Sequence, residues 1–108
     1  MSGSPNRFEN VTAVAKANLF FDGKVASHTI LFPDGSRKSL GLAWPGTFRF
    51  DTGAPEVMEI VSGSCRARLA GEEDWKEYGA GSSFRVPGSS SFEMVVESGV
   101  AEYVCSFG

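Results

Sequence analysis

Apolar and polar positions along this chain alternate in short bursts, and nearly every burst ends at glycine or proline. Thr47-Phe-Arg-Phe-Asp-Thr52 repeats with period two, which puts Phe48, Phe50 and Thr52 on one face of a strand. Ser64-Cys-Arg-Ala-Arg-Leu69 sets Cys65, Ala67 and Leu69 against Arg66 and Arg68. Ser91-Phe-Glu-Met-Val-Val-Glu97 sets Phe92, Met94 and Val96 against Glu93, Val95 and Glu97. Further strand-like runs cover 24–32, 38–44, 56–61, 75–78, 82–86 and 100–107. Pro33-Asp34-Gly35, Pro45-Gly46, Gly53-Ala-Pro55, Ser62-Gly63, Gly79-Ala-Gly81, Pro87-Gly88 and Ser98-Gly99 punctuate them. With 13 glycines and 5 prolines the pieces are too short for a series of ordinary helices. The one helical candidate, Val11 to Asn18, reads equally as an arm or a strand. Many short strands at regular spacing predict an all-β sandwich or barrel.

A chain of 108 residues and 11.5 kDa is one domain. Folding at this size buries roughly 65% of the unfolded surface, so a partner subunit would add stability. Apolar residues at 42% and charged ones at 21% exclude a disordered chain. The net charge of -3, with Arg37-Lys38 and Arg66/Arg68 as the densest positive patches, argues against a nucleic-acid surface. No stretch has signal-peptide or membrane-spanning character, so the expectation is a cytoplasmic protein with no membrane partner. Cys65 and Cys105 both read as buried strand residues rather than a disulfide scaffold.

Two stretches resemble the conserved motifs of cupins. Glu56-Val-Met-Glu-Ile-Val-Ser-Gly63 places an acidic residue seven positions before glycine, and Gly81-Ser-Ser-Phe-Arg-Val-Pro87 places glycine six before proline. The resemblance implies a single small cupin-type jelly-roll β-barrel over 18–108, preceded by a partly flexible arm over 1–17. It also maps the usual metal-ligand positions onto Phe50, Thr52, Glu56 and Phe92. Trp44 and Ser89 depart further from the pattern, standing where the two motifs carry glycine.

A more specific resemblance runs from residue 18 to the C-terminus. Asn18-Leu-Phe-Phe-Asp-Gly-Lys-Val25, Ser27-His-Thr29, Phe50-x-Thr52, Pro55-Glu56 with Met58, and Ser62-Gly63 carry its first half. Trp75-x-x-Tyr78 with Gly81, Phe84-x-Val-Pro-Gly88, Ser91-Phe92 and Tyr103-x-Cys105 carry the second. In this ordered spacing the chain resembles the small pyrimidine/purine nucleoside phosphorylase family. The resemblance implies a broad-specificity, metal-independent enzyme that converts purine and pyrimidine nucleosides plus phosphate to free base and α-D-ribose 1-phosphate. Inorganic phosphate is then the co-substrate and no cofactor is expected.

The residues suit that chemistry better than the alternatives. Phe50 and Phe92 have no ligand atom and Thr52 offers only a neutral oxygen, whereas zinc or iron sites need three or four ligands. His28, the only histidine, reads as a strand histidine hydrogen-bonded to a neighbour rather than a catalytic base. Phosphorolysis needs no protein nucleophile, because phosphate itself attacks C1′. Positioning and preorganised electrostatics supply the acceleration. Glu56 is the leading catalytic candidate, as acceptor for sugar hydroxyls and counter-charge to an oxocarbenium-like centre, and Thr52 stands beside it. Phe50 and Phe92 are candidates for a stacking wall and Tyr103 for a hydroxyl near the mouth. Pro87-Gly-Ser-Ser-Ser91 reads as a small-anion loop through Ser89 and Ser91, or simply as a Ser-rich turn. Arg68 and Arg85 are candidates for phosphate, although alternation opposes Arg68 to the apolar face. The runner-up is a non-catalytic cupin module binding a sugar or nucleotide; a metal-dependent cupin enzyme or a structural dimerisation module ranks lower. Fold analogy with cupins makes a homodimer the expected assembly.

Overall fold

The computed structural model describes residues 7–108; Met1–Asn6, the first part of the expected arm and of the leader reading, lie outside the described residues. Eleven strands follow one another: β1 (Thr12–Ala13), β2 (Asn18–Phe20), β3 (Val25–Leu31), β4 (Arg37–Ala43), β5 (Gly46–Asp51), β6 (Glu56–Ser62), β7 (Ser64–Leu69), β8 (Lys76–Gly79), β9 (Ser83–Val86), β10 (Ser91–Val96) and β11 (Ala101–Phe107). No helix occurs among the described residues. The ambiguous stretch 11–18 contains β1 and the first residue of β2, both of which pair with β3.

The strands form two sheets. The larger runs β1-β3-β4-β11-β6-β9, with β2 also on β3, and the smaller runs β5-β10-β7-β8. Every strand pair is antiparallel. Neither sheet closes, so the expected single cupin-type barrel is not formed and the architecture is two open sheets sharing one core. The physical reason lies at the crossings. Between β4 and β5, β5 and β6, and β9 and β10, the chain passes from one sheet to the other through Pro45, Pro55 and Pro87. Proline has no N–H to donate, so a ladder cannot run through those corners. Isolated bonds such as Ser89 N–H to Gly53 O (2.9 Å) and Thr52 N–H to Ser90 O (2.9 Å) tie the corners instead.

The two-residue period decides which side chains enter the core. Val25, Ala43, Met58, Ile60, Phe84, Val86, Ala101 and Tyr103 from the large sheet meet Phe48, Cys65, Ala67, Phe92, Met94 and Val96 from the small one. The fully buried Ile60, Met94, Val25, Val86 and Val96 are its densest part. Arg49, Arg66 and Arg68 point outward, where they meet Asp51, Glu97 and Glu93.

The turn between β6 and β7 depends on one glycine. Gly63 has φ +77°, and an added Cβ would stand 2.2 Å from the Val100 carbonyl oxygen. That oxygen belongs to backbone and cannot swing aside. Gly63→Ala is therefore expected to cost about 2 kcal/mol or more. Chemical denaturation measures it, and an unchanged midpoint contradicts this account of the turn.

Candidate active site

The inner face of the large sheet changes character along its length. Its deepest row is Val25 and Ala43 with Ala101, all apolar. One step along, Asn18, Ser27, Gly41, Tyr103 and Ile60 lie side by side across β2, β3, β4, β11 and β6. The next row is Thr29, Ser39, Cys105, Met58 and Phe84. Beyond it come Arg37, Phe107 and Glu56, at the open end. Cross-strand partners share a face in an antiparallel sheet, so these rows make one polar wall turned toward the small sheet.

Glu56 opens β6 and is half-buried. The Cys105 thiol donates to its Oε1 at 3.4 Å. Burial pushes the Glu56 pKa above its ordinary value; the Cys105 hydrogen bond and the Arg37 charge offset part of this. The same surroundings push the thiol of Cys105 and the phenol of Tyr103 up, burial first and the Glu56 charge among the lesser causes. Both therefore stay protonated donors at neutral pH. Tyr103 fits only because Gly41 has no side chain: a Cβ there would lie 2.1 Å from Tyr103 Cζ.

Asn18 stitches the wall to its edge. Its Nδ2 donates to Ser27 Oγ and Thr29 Oγ1 at 3.3 Å each, and to the Ser27 carbonyl at 3.4 Å. The hydroxyl hydrogens of Ser27, Thr29 and Ser39 have no side-chain or backbone acceptor among the described residues, and neither does the Tyr103 phenol. Ser27, Ser39 and Tyr103 are each more than nine-tenths buried. Among the described residues no side-chain oxygen is both buried and without a partner, so the unpartnered hydroxyls stay accessible from the open side of the wall.

The small sheet supplies aromatic rings opposite. Phe50 stacks on Phe92 with centroids 5.2 Å apart, and Phe92 meets Phe84 edge-on at 5.6 Å. Phe21, in the turn after β2, reaches Phe50 at 5.4 Å and Phe48 at 5.0 Å, and Phe20 reaches Phe50 at 6.4 Å. Phe92 is only 2% exposed and lies behind Phe50, so the accessible aromatic surface belongs to Phe50, Phe20 and Phe21.

The remaining residues expected from sequence stand elsewhere. Thr52 is buried, with its hydroxyl donating to the Pro87 carbonyl at 2.7 Å and accepting from Ser90 N–H at 2.9 Å. It clips the end of β5 to the 87–91 loop. In that loop Ser89 has φ 50° and its N–H is taken by Gly53 O, while Ser91 lies on the outer side of β10. Arg68 also lies outside, bonded to Glu93 at 2.7 Å with its guanidinium 4.6 Å from the Trp75 ring centroid. Arg85 is exposed on the edge strand β9, across from Val57. His28 lies on the outer face of the large sheet, with Nδ1 3.2 Å from the Val14 carbonyl.

The structure thus joins Glu56, Tyr103, Phe50 and Phe92, adds Asn18, Ser27, Thr29, Ser39, Arg37 and Cys105, and leaves Ser89, Ser91, Arg68 and Arg85 outside the wall. Asn18, Ser27, Thr29 and Cys105 stand in the motifs that carry the family resemblance, and the strand period places Ser27 with Thr29, and Arg37 with Ser39, on one face of their strands. Among the described residues no three His, Cys, Asp or Glu groups gather where a metal ion could be held.

Residues 15–107 match the family described as pyrimidine/purine nucleoside phosphorylase. A protein of that name from Cupriavidus necator is 59% identical over 102 residues, covering 94% of this chain and 96% of that protein. Another from Thiobacillus denitrificans is 55% identical, covering 95% and 99%. Among solved structures, a protein of unknown function from Acinetobacter sp. ADP1 superposes with a TM-score of 0.91 at 40% identity, covering 94% of this chain and 98% of that one. An oxalate decarboxylase from Bacillus subtilis shares the fold alone, with a TM-score of 0.72 at 12% identity, covering 96% of this chain and 30% of that one.

The clip at Thr52 generates a direct test. Thr52→Val keeps the shape but strands the Pro87 carbonyl and the Ser90 N–H, at an expected cost of about 1–3 kcal/mol. Faster hydrogen exchange at the Ser90 amide is the expected signature; unchanged protection there would show the clip is not made.

Proposed function

The chain belongs to the pyrimidine/purine nucleoside phosphorylase family, and on that premise we propose that the space between the polar wall and the aromatic rings is where its reaction takes place. The enzyme converts nucleosides and inorganic phosphate to free base and pentose 1-phosphate. In this reaction a phosphate oxygen forms a bond to C1′ while the glycosidic C1′–N bond breaks, its electron pair leaving with the base. The proton given up by dihydrogen phosphate ends on the base nitrogen. The protein must hold both substrates in line and balance the positive charge that grows on the pentose.

The observation that carries this reading is Glu56, a half-buried carboxylate near Arg37 at the open end of a hydroxyl-lined wall, held by the Cys105 thiol. In the proposed site its carboxylate accepts pentose hydroxyls and faces the oxocarbenium-like carbon. A thiol donor from Cys105 fixes the carboxylate without neutralising it. The Tyr103 phenol and the Ser27 hydroxyl supply donors to pentose oxygens. Phe50 offers a ring for the base, with Phe92 stacked behind it as support. A ring face is indifferent to the heterocycle, which suits a broad range of bases. Thr52 serves as a positioning residue through the 87–91 loop.

Two further features belong to the same proposal. The outer face of the large sheet exposes Leu40 and Leu42 beside a groove of about 490 Å³ lined also by Ile30, Val61, Val104 and Phe8. A second copy of the chain docks there, making the homodimer. The cysteines Cys65 and Cys105 are both buried and unbridged, in keeping with a reducing cytoplasmic compartment.

Glu56→Gln is expected to keep the fold and lower turnover on the order of 100-fold. Steady-state release of base from a nucleoside panel with phosphate measures this; unchanged kinetics reject the role. The raised pKa gives a second reading. Activity that needs the carboxylate falls as pH drops through its folded-state pKa, above the ordinary 4.5. Stability runs the other way. A raised carboxylate favours the native state below its unfolded pKa, and this contribution is lost as pH rises through the folded one. Glu56→Gln should remove that loss, so thermal melts of variant and parent should converge in acid and separate in the variant's favour above it. Leu42→Glu in the outer groove should convert a dimer to monomer in size-exclusion light scattering. A parent that is already monomeric, or a variant that stays dimeric, rejects this interface.

A further inference from the structure

We propose that the phosphate co-substrate is seated by Arg37 together with the hydroxyls of Thr29 and Ser39, next to Glu56 and at the open end of the polar wall. This deepens the inter-sheet reading of the active site and rests on it.

The case begins with which positive charges are free to act. Among the described arginines, Arg7, Arg49, Arg66 and Arg68 are paired with Glu9, Asp51, Glu97 and Glu93. Arg37 and Arg85 make no such pair. Arg85 belongs to the outward-facing positions of β9. Arg37 belongs to the inward-facing positions of β4, two residues before Ser39 and four before Gly41. Its guanidinium lies 4.2 Å from the centroid of Phe107, itself packed on the core, and its charge is felt at both Glu56 and Cys105. The five N–H donors of Arg37 make no hydrogen bond among the described residues.

The next row inward matches an anion. Thr29 and Ser39 are Cα partners across β3 and β4, and Ser39 is Cα partner of Cys105 across β4 and β11. Thr29 Oγ1 accepts from Asn18, which leaves its own hydrogen to give. Ser39, 8% exposed, has no hydrogen-bond partner among the described side chains. Arginine with two hydroxyl hydrogens makes a set rich in donors that contains no carboxylate or carbonyl acceptor. Phosphate oxygens accept only such donors. A pentose hydroxyl must also donate, and for that the wall holds Glu56 on β6, two strands from β4.

The Pro87–Ser91 loop does not compete well for this role. An anion loop binds through free backbone amides. Here the N–H of Ser89 goes to Gly53 O and that of Ser90 to Thr52 Oγ1. The loop's amides hold the corner together. Seating phosphate at Arg37 also puts it beside Glu56, so the incoming oxygen and the carboxylate can flank the same carbon.

The test varies orthophosphate and nucleoside separately in steady-state assays of the full-length chain. Arg37→Gln is expected to raise KM for phosphate about 10- to 100-fold and leave nucleoside KM within about twofold. Arg37→Lys should recover part of the loss, since it keeps charge without the fork. A readout independent of turnover is the rise in Tm on adding orthophosphate, expected in the parent and lost in Arg37→Gln. Ser39→Ala carries the same test by a smaller change if Arg37→Gln does not fold. An unchanged phosphate KM in Arg37→Gln and Ser39→Ala, an equal rise in both KM values, or a phosphate KM moved by Arg85→Gln instead overturns the proposal. Glu56→Gln separates the two readings. If it slows turnover while the Arg37 variants bind phosphate normally, only the phosphate seat fails. If it too is normal, the inter-sheet site fails.

Discussion

Two open antiparallel sheets, each with one apolar face, have to cover each other, and everything else in this protein follows from that requirement. Neither sheet removes its edges by closing, so stability rests on the interdigitation of Met58, Ile60 and Val86 with Phe48, Met94 and Val96. The prolines at 45, 55 and 87 end one ladder and send the chain across to the other. Glycine at 63 permits a turn that no side chain would allow. A small domain built this way has little area to spare.

Against that background, the composition of the inner face is informative. Ser27, Ser39, Thr29 and Tyr103 occupy rows where Val or Leu would add to the core. Polar side chains add less to a core than apolar ones, and the chain places several together here, none of them a buried oxygen without a partner among the described residues. The row beyond them carries Glu56, its pKa raised by burial. Such departures from the best-packed answer concentrate where a molecule other than the protein completes the hydrogen bonds. In the proposed site the aromatic rings of the small sheet give that molecule a flat, polarity-tolerant partner.

On the proposed reading, the division of labour between sheets makes the site both precise and permissive. Polar groups sit on strands β3, β4, β6 and β11, held by ladders on both sides, so their spacing is rigid. The accessible rings come partly from the turn after β2, where Phe21 and Asp22 adopt φ near +55°. In the proposed site the pentose shared by all nucleosides and the phosphate co-substrate meet the rigid wall, whereas the variable base meets stacking surface. Cys105 contributes by geometry: its thiol, protonated because burial disfavours the thiolate, directs the Glu56 carboxylate.

Much of this was legible in the residues. Period-two alternation and the Gly/Pro punctuation located the strands and the inward sets at Phe48/Phe50, Cys65/Ala67 and Phe92/Met94, because a pleated strand alternates its faces regardless of context. Glu56, Phe50 and Tyr103 stood out as chemistry in an apolar setting, and the ordered motifs pointed to the family. What the sequence alone could not supply was adjacency. Whether the strands close into a barrel depends on long-range pairing, and the proline corners left two sheets instead. Thr52 is an unremarkable strand threonine until Pro87 and Ser90 arrive at its hydroxyl from 35 and 38 residues away. Arg68 and Arg37 are equal cations on paper; pairing with Glu93 occupies the first, and the register of β4 with β11 turns the second toward Glu56. Local pattern settles which face a side chain takes, and only tertiary pairing settles what it meets there.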